Sequence, residues 1–192
     1  MMSMSKENAN EALPRCSWVP MKNPLYVAYH DGEWGRPLHD DRALFELLIL
    51  ETFQAGLSWE CILNKRENFR RAYEGFVPET VARFDEKKIA ELMSDSGIVR
   101  NRAKISASIA NCRVFLEIQK EFGTFDAYLW GFTGGKTVCE SWDVRTTSPL
   151  SDEISKDLKK RGMKFVGSTT IYAYLQSAGV INAHSKDCFL AP

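Results

Sequence analysis

The sequence predicts an all-α fold built as a single unit of 192 residues. Residues that cap helices recur along the chain, and they are followed by apolar residues three and four positions apart, the period of one helix face. No segment alternates polar and apolar residues as a half-buried strand does. No internal repeat and no linker rich in Pro, Gly or Ser divides the chain, so one packed core is expected.

The first two predicted helices flank a break at Gly56-Leu57. Asp40 or Asp41 can cap a helix that runs to this break, and Ser58 can cap the next helix. The residues expected to face the core are Leu44, Leu47, Leu48, Trp59, Ile62, Leu63 and Phe69.

Three signals punctuate the middle of the chain. Pro78 opens a short helical turn, Asp85 caps a further segment, and Gly97 marks a turn before a long helix. The apolar residues expected on the inner faces are Ile89, Leu92 and Met93 before the turn, and Ile105, Ile109, Cys112 and Leu116 after it.

Two amphipathic helices complete the predicted order. The first begins at Ser151, turns Leu158 inward and ends at Gly162. The second runs over about residues 169–178 and ends at Gly179, because glycine favours the left-handed conformation that terminates helices.

Equal numbers of basic and acidic residues, 25 of each, leave the chain without net charge. A globally basic surface, the simplest sign of a nucleic-acid binder, is therefore excluded. The charges are segregated, because residues 30–55 hold six acids and two bases, residues 156–164 hold five bases and one acid, and residues 97–104 hold three bases and no acid. This pattern predicts either a basic face beside an acidic pocket or ordinary solvated helix surfaces.

The polar residues 1–15 predict a loose N-terminal tail, followed by one domain over residues 16–192. The tail lacks the apolar run of a secretion signal, and no stretch approaches the roughly 20 apolar residues of a membrane span. Five cysteines, an odd number, then favour reduced thiols or metal ligands and an intracellular, cytoplasmic protein.

Cysteines and histidines at the two ends of the chain form the most specific pattern. Cys16 and His30 lie near the start, and His184 and Cys188 have the spacing that puts two ligands on one face of a helix or tight loop. Together they suit a closed Cys2His2 zinc site, which would be structural and would clip the two ends together. The alternative is a set of unrelated core cysteines and a surface histidine.

Aromatic residues are concentrated in residues 24–35, and a carboxylate follows in a predominantly apolar helix. The aromatic residues form either the wall of a pocket or an aromatic mini-core. Glu51 lies on the apolar side of its helix, and it is either a satisfied helix-end acid or the anionic floor of a pocket for a cationic or amino-bearing ligand. The aromatic residues are Tyr26, Tyr29 and Trp34, with Trp59 following Glu51.

Two basic segments can hold phosphate groups. The turn at Gly97 exposes backbone N–H groups and is followed by Arg100, Arg102 and Lys104. A second run carries Lys159, Lys160, Arg161 and Lys164. The first segment is also typical of many ordinary helix pairs, and the second also suits a helix C-terminus, where cations interact with the helix dipole.

Several long motifs, in this order, resemble the DNA-3-methyladenine glycosylase I family. The resemblance spans residues 16–188. The matching segments are Cys16-Ser-Trp18, Tyr26-x2-Tyr29-His-Asp-x-Glu-Trp-Gly35, Leu50-Glu-x2-Gln-Ala-Gly-Leu-Ser-Trp59, Leu63-x-Lys-Arg-Glu-Asn68, Gly97-Ile-Val-Arg100, Lys159-Lys-Arg-Gly-x-Lys-Phe-Val-Gly167 and His184-x3-Cys188.

The resemblance implies an all-helical DNA glycosylase of the helix-hairpin-helix type, with two lobes around a base pocket. Such an enzyme flips 3-methyladenine out of double-stranded DNA and hydrolyses its N-glycosidic bond in base excision repair. We expect it to be a monomer. One structural Zn2+ per chain is implied, with the ligands Cys16, His30, His184 and Cys188.

The resemblance also assigns roles to the other residues. The base pocket is implied to comprise Tyr26, Tyr29, Trp34, Glu51 and Trp59. Gly56-Leu57 becomes the plug that fills the gap left in the base stack. The implied DNA contacts are Gly56, Leu57, Gly97, Arg100, Arg102, Lys104, Lys159, Lys160, Arg161 and Lys164.

The chemistry fits these residue types. Methylation at N3 leaves adenine cationic in the nucleoside, so the leaving group is already activated, and aromatic faces with Glu51 favour it over neutral adenine. Residues 97–125 contain no Asp of the kind that related hairpin enzymes use, and Glu51 is the candidate catalytic residue. No lysine suggests a Schiff base, so strand cleavage is not expected.

Two departures and two alternative functions remain. The hairpin has one glycine where many related hairpins have two, and Met163 stands where an aromatic residue is frequent; both concern the grip on DNA. The alternatives are a non-catalytic module that binds damaged DNA and a zinc hydrolase with Glu51 as its base. Four nitrogen and sulfur ligands would fill the coordination sphere of the metal and leave no position for a catalytic water, which argues against the zinc hydrolase.

Overall fold

A computed structural model describes residues 13–140 and 145–192. Within these ranges the chain forms ten α-helices, a 3-10 turn at Glu74–Phe76 and two very short strands. The helices are α1 (Pro24–Gly32), α2 (Asp41–Gln54), α3 (Trp59–Leu63), α4 (Arg66–Ala72), α5 (Pro78–Val81), α6 (Glu86–Ser94), α7 (Arg102–Phe122), α8 (Phe125–Gly131), α9 (Pro149–Lys160) and α10 (Ser168–Ser177). The strands are β1 (Val138–Cys139) and β2 (Ile181–Asn182).

The predicted helix starts are confirmed where a side chain caps the backbone. Asp40 accepts a hydrogen bond from the backbone N–H of Ala43 at 2.8 Å and begins α2. Ser58 accepts in the same way at the start of α3, and Asp85 at the start of α6. Each cap satisfies one of the N–H groups that a helix start leaves without an intrahelical partner.

Two boundaries differ from the prediction. The helix after Ser58 ends at Leu63, and the buried Phe69 belongs to the separate helix α4. The helix predicted to begin at Ser151 begins two residues earlier, at Pro149. Ser148 is its cap, because Ser148 and Ser151 bond each other's backbone N–H groups and Pro149 suits the first helical position.

The all-α prediction needs one correction, because the fold is mostly helical with a little sheet. β1 and β2 pair in parallel, with Val138 opposite Ile181. The N–H of Val138 donates to the carbonyl of Val180 at 2.8 Å. Two-residue strands are too short for alternation to reveal them in the sequence.

Helix α2 is the centre of the packing. Ten consecutive residues of this helix, 44–53, are buried. It packs against α3, α7, α8 and α10. A helix surrounded on all sides carries its polar residues inward with its apolar ones, and Glu46 and Glu51 are therefore both buried.

Helix α7 buries a wider face than predicted. Ile105, Ile109 and Cys112 are buried, as expected, but Leu116 is only half-buried. Phe115 and Ile118 complete the apolar face instead.

No helix in the described ranges is both long and apolar enough to span a membrane.

Residues 13–15, the last three of the predicted N-terminal tail, are among the described residues. Residues 1–12 lie outside them. Arg15 is largely buried, and its guanidinium bonds the carboxylate of Asp31 with a shortest distance of 2.6 Å. The N–H of Phe189 donates to the carbonyl of Pro14 at 2.8 Å, so the start and finish of the described chain lie side by side.

Gly179 provides a test of this packing. It ends the α10 segment at a φ of +68°, and a Cβ at this position would lie 2.0 Å from the carbonyl carbon of Arg36. We expect Gly179→Ala to lower the free energy of unfolding by about 3 kcal/mol or more, because both the left-handed backbone and the main-chain contact oppose a side chain. Thermal or denaturant unfolding measures the change.

Gly131→Ala is the matched control. Gly131 is helical, and a Cβ there would meet nothing within 4 Å. We expect this substitution to be neutral or to stabilise the protein by about 0.5 to 1 kcal/mol. Equal effects of the two substitutions would contradict the close approach of Gly179 to Arg36.

Candidate functional site: an aromatic pocket beside a Cys/His cluster

A cavity of about 270 Å³ opens beside the C-terminal end of α2. Helices α1, α3 and α10 supply further walls, and Trp18 and Trp34 line it from segments outside the helices. All five predicted pocket residues line it. The full lining is Trp18, Tyr26, Tyr29, Trp34, Glu51, Gln54, Trp59, Ala173, Gln176 and Ser177.

Glu51 lies at the buried base of this cavity, with 2 % of its surface exposed. The hydroxyl of Ser177 donates to Glu51 Oε1 at 2.7 Å, and the Tyr29 hydroxyl lies 2.8 Å from the same serine oxygen. Glu51 Oε2 is buried without a hydrogen-bond partner among the described residues. The carboxyl group therefore has one oxygen held by the protein and one available to a ligand.

Burial raises the pKa of Glu51 to about 8, and the hydrogen bond from Ser177 opposes the shift without cancelling it. The carboxyl group is consequently neutral over most of the physiological range. Burial and the charges of Glu51 and Glu60 also raise the pKa of Tyr26 to about 12, so its hydroxyl stays protonated.

Aromatic rings surround the carboxyl group. The ring centroids of Tyr29 and Trp59 lie 5.2 Å apart, and those of Trp18 and Trp34 lie 4.7 Å apart. Trp59 Nε1 is buried without an acceptor among the described residues. The pocket thus offers π-faces, one indole donor and one carboxyl group, which suits a flat, amino-bearing or cationic ligand.

Sequence reasoning missed Ser177 and Trp18. Ser177 is 126 residues from Glu51 in the chain, so no local pattern links them. Trp18 belongs to the Cys16-Ser-Trp18 motif, for which the sequence predicts no pocket role. Its ring packs against both Tyr26 and Trp34 and completes the wall.

The break after α2 is a tight exposed turn. Gly56 adopts a φ of +79°, and the N–H of Leu57 donates to the carbonyl of Gln54 at 2.6 Å. The Leu57 side chain is 42 % exposed. An apolar side chain therefore projects from a sharp turn three positions after Gln54, a pocket-lining residue.

The four predicted metal ligands meet in one buried cluster. The ligand atoms of Cys16, His30, His184 and Cys188 all lie within 4.8 Å of one another. His184 Nδ1 lies 3.5 Å from each sulfur, and Cys188 Sγ lies 3.6 Å from His30 Nε2. A tetrahedral zinc with these ligands separates sulfur from nitrogen by about 3.6 Å, so the cluster could hold such an ion.

Each histidine ring is oriented by a contact at the ring nitrogen that points away from the sulfurs. His30 Nδ1 lies 2.8 Å from Asp31, which Arg15 holds in turn, and His184 Nε2 lies 3.1 Å from the carbonyl oxygen of Trp34. These contacts direct the remaining ring nitrogens at the sulfurs, as outer partners do in metal sites. Burial opposes ionisation of Cys16, but hydrogen bonds from His184, His30 and Ser185 outweigh it and lower its pKa to about 5.

The cluster and the pocket share a wall. Trp18 packs on His30 with ring centroids 5.3 Å apart, and Trp34 packs on His184 at 4.7 Å. Gly35 follows at a φ of +71°, where a Cβ would lie 2.9 Å from His184 Nε2. The chain therefore needs a glycine at this point to bring Trp34 and His184 together.

The turn at Gly97 connects α6 and α7 and is anchored from one side. Its N–H donates to Asp95 Oδ1 at 2.7 Å. Lys65 Nζ donates to the carbonyls of Ser96 and Gly97, and the Asn68 amide also donates to the carbonyl of Gly97. A Cβ at Gly97 would crowd both Asp95 and Asn68.

The predicted phosphate-binding cations differ in their exposure. Arg100, Lys159, Lys160 and Lys164 are exposed. Arg102 is exposed but paired with Glu86, and Arg161 is paired with both Asp157 and Glu121. Lys104 is buried and bonds main-chain carbonyls, so its ammonium group does not lie on the surface.

Known proteins are similar to this chain over nearly its whole length. The family model for methyladenine glycosylase matches residues 18–191. DNA-3-methyladenine glycosylase 1 of Escherichia coli (strain K12) is 42 % identical over 187 residues, covering 94 % of this chain and 98 % of that protein. DNA-3-methyladenine glycosylase of Haemophilus influenzae is 40 % identical over 178 residues, covering 91 % of this chain and 96 % of that protein.

Solved structures agree with the sequence comparison. A crystal structure of 3-methyladenine DNA glycosylase I superposes with a TM-score of 0.89 at 42 % identity, covering 93 % of this chain and all of that chain. A variant of 3-methyladenine DNA glycosylase I in complex with 3-methyladenine gives a TM-score of 0.86 at 39 % identity, covering 89 % and 94 %. By its sequence and by its fold, this chain belongs to the methyladenine glycosylase family.

Proposed function

We propose that this protein excises 3-methyladenine from alkylated double-stranded DNA inside the cell, as a monomeric glycosylase of base excision repair that does not cleave the strand. The observation that carries the proposal is the unpartnered Oε2 of Glu51 at the base of a cavity walled by aromatic rings. A similar protein has been solved in complex with 3-methyladenine, which supports the assignment of the ligand.

Glu51 and the aromatic rings select the base. N3-methylated adenine is cationic in the nucleoside, and π-faces attract a cation more than a neutral ring. A cation beside Glu51 lowers the pKa of its carboxyl group, so the group loses its proton and pairs with the base. Oε2 accepts from the exocyclic amine, whereas Oε1 stays on Ser177. Unmethylated adenine carries no positive charge and gains little here.

Hydrolysis needs no strong acid, because the leaving base is already cationic. The C1′–N9 bond breaks, its electron pair neutralises the base, and the oxygen of a water molecule bonds to C1′. The proton released by that water passes to a basic group or to solvent. Glu51 is our candidate for that group once it is ionised, since a glutamate carboxylate can accept a proton from water as a general base.

The proposed DNA-binding hairpin is a helix-hairpin-helix unit made of α6, the Gly97 turn and the N-terminal part of α7, and the C-terminal part of α7 with Glu117 and Lys120 lies outside it. The backbone of this turn and the exposed Arg100 and Arg102 meet phosphates of one strand, while Lys159, Lys160 and Lys164 meet a second stretch of backbone. Leu57 enters the gap that the extruded nucleotide leaves. Arg161 contributes through its packing against Asp157 and Glu121.

The Cys/His cluster is proposed to hold one structural zinc ion. Two thiolates and two imidazoles fill all four tetrahedral positions, so the ion stabilises the fold and takes no part in hydrolysis. We propose that residues 16–192 form one domain with two lobes around the pocket, and that the clip fixes the two ends of this domain together.

The base-release assay tests the function directly. Incubation with methylated duplex DNA should liberate free 3-methyladenine, measured by chromatography, and should leave the sugar–phosphate strand intact. Tight binding to methylated DNA without release of the base would support the alternative, a module that only recognises damage.

Glu51→Gln tests the pocket. We expect this isosteric substitution to slow excision about 100-fold or more with the fold retained, because it removes the ionisable group that pairs with the base. Glu117→Gln removes an exposed carboxylate on α7 and should leave the rate unchanged. An unchanged rate in Glu51→Gln would remove this residue from the mechanism.

The same variant tests the pKa of Glu51. The folded protein binds a proton at Glu51 up to about pH 8, whereas the unfolded chain releases it near the ordinary glutamate value, so stability falls as pH rises between these two values. From pH 5 to pH 8 we expect the wild-type protein to lose about 3 kcal/mol more than Glu51→Gln, as measured by denaturant unfolding. Parallel stability curves would contradict the raised pKa.

Cys188→Ser tests the metal clip. Loss of one thiolate should remove most of the bound zinc, measured by elemental analysis, and should lower the thermal midpoint by about 10 °C. Cys139→Ser changes an exposed cysteine outside the cluster and should retain the metal. Full zinc content in Cys188→Ser would reject this set of ligands.

A further inference from the structure

Lys104 is a buried lysine at the point where α7 meets α2. Its Nζ donates to the carbonyl oxygens of Phe53 at 2.8 Å and Ala55 at 2.5 Å. Only 7 % of the residue is exposed. Removing an ammonium group from water is costly, so these two bonds and the negative end of the α2 dipole must compensate for the lost hydration.

The two carbonyls that Lys104 binds flank the last residue of α2. Helix ends leave such carbonyls without intrahelical partners, and their other partners are usually water molecules or a following turn. Here the carbonyl between them, that of Gln54, accepts from the N–H of Leu57. Together these three bonds hold the end of α2 and the exposed Gly56-Leu57 turn in one conformation.

Lys104 also belongs to the proposed DNA-binding hairpin. It lies in the first turn of α7, where its N–H donates to the Asn101 cap at 3.1 Å. The preceding turn is anchored by Lys65 and Asn68. A single side chain therefore connects the segment proposed to grip phosphate with the turn that carries Leu57.

We propose that Lys104 is a positioning residue that sets the Leu57 turn relative to the hairpin, so that the grip on the backbone and the insertion into the base stack act together. This inference rests on the proposed function. Lys104 touches neither phosphate nor base, because its ammonium group is occupied by the carbonyls of α2. Its effect is therefore transmitted through Leu57.

Lys104→Met tests the proposal in the full-length protein, since methionine fills similar space without donating a hydrogen bond. We expect single-turnover excision from a duplex with a paired lesion to slow about tenfold or more, whereas the affinity for free 3-methyladenine, followed by tryptophan fluorescence, stays within about twofold. When the lesion faces an abasic site, extrusion is easier, and the defect should shrink to about twofold.

Leu57→Ala provides the second half of the test. If Lys104 acts through Leu57, this variant shows the same dependence on the opposing base, and the double variant is no slower than the slower single variant. Lys104→Arg retains donors and charge and should recover most of the rate. Lys120→Met removes an exposed lysine from the far end of α7 and should match the wild type.

The outcomes separate the two proposals. A wild-type protein that releases no 3-methyladenine would overturn the proposed function itself. Suppose that the wild type releases the base. The positioning role alone would then be overturned if Lys104→Met excised the base as fast as the wild type, or if its excision rate fell by the same factor on paired and unpaired lesions. Multiplying effects in the double variant would do the same. If Lys104→Met does not fold, Lys104→Gln is measured against the same criteria at a temperature where it remains folded.

Discussion

The burial of helix α2 is the constraint on which the rest of the structure depends. Other helices surround it, so two carboxyl groups in its sequence are carried into the interior with the apolar residues. Glu46 meets Arg66 and Arg70, and although burial opposes ionisation, their guanidinium groups hold its pKa below the ordinary value. Among the described residues, the carboxyl group of Glu51 has only the Ser177 hydroxyl as a hydrogen-bond partner, and burial raises its pKa. One buried acid is thus fully paired, whereas the other keeps the capacity to respond to a charged ligand.

The two ends of the chain complete the pocket that α2 begins. Trp18 and Trp34 come from segments held by the Cys/His cluster, and the same indoles form pocket wall on their other side. Closing the cluster therefore constrains the aromatic wall as well as the chain ends. Through this shared wall, an ion held by the cluster would constrain the shape of the pocket without touching a ligand inside it.

Local patterns predicted the parts of the molecule that local physics determines. Side-chain caps such as Asp40 and Ser58 are visible in the sequence because capping acts within one turn. Glu51 was noticeable because a carboxylate on an apolar face requires a reason. Spacing alone left several interpretations of the cysteines, histidines and aromatic residues open. The resemblance to a known family favoured the interpretation as zinc ligands and pocket residues.

The remaining contacts could not be predicted, because they join distant segments. The Ser177 hydroxyl donates to Glu51, and His184 contacts the carbonyl oxygen of Trp34, without any signal in the sequence that pairs these residues. Lys104 was expected on the DNA-facing surface. The sequence does not distinguish a lysine at a helix start that points to solvent from one that points to another helix. The depth of Cys16 and Cys188 has a last consequence. Both residues are almost fully buried, with 2 % and 5 % of their surfaces exposed, so electrophiles dissolved in water have little access to the thiol groups of the cluster.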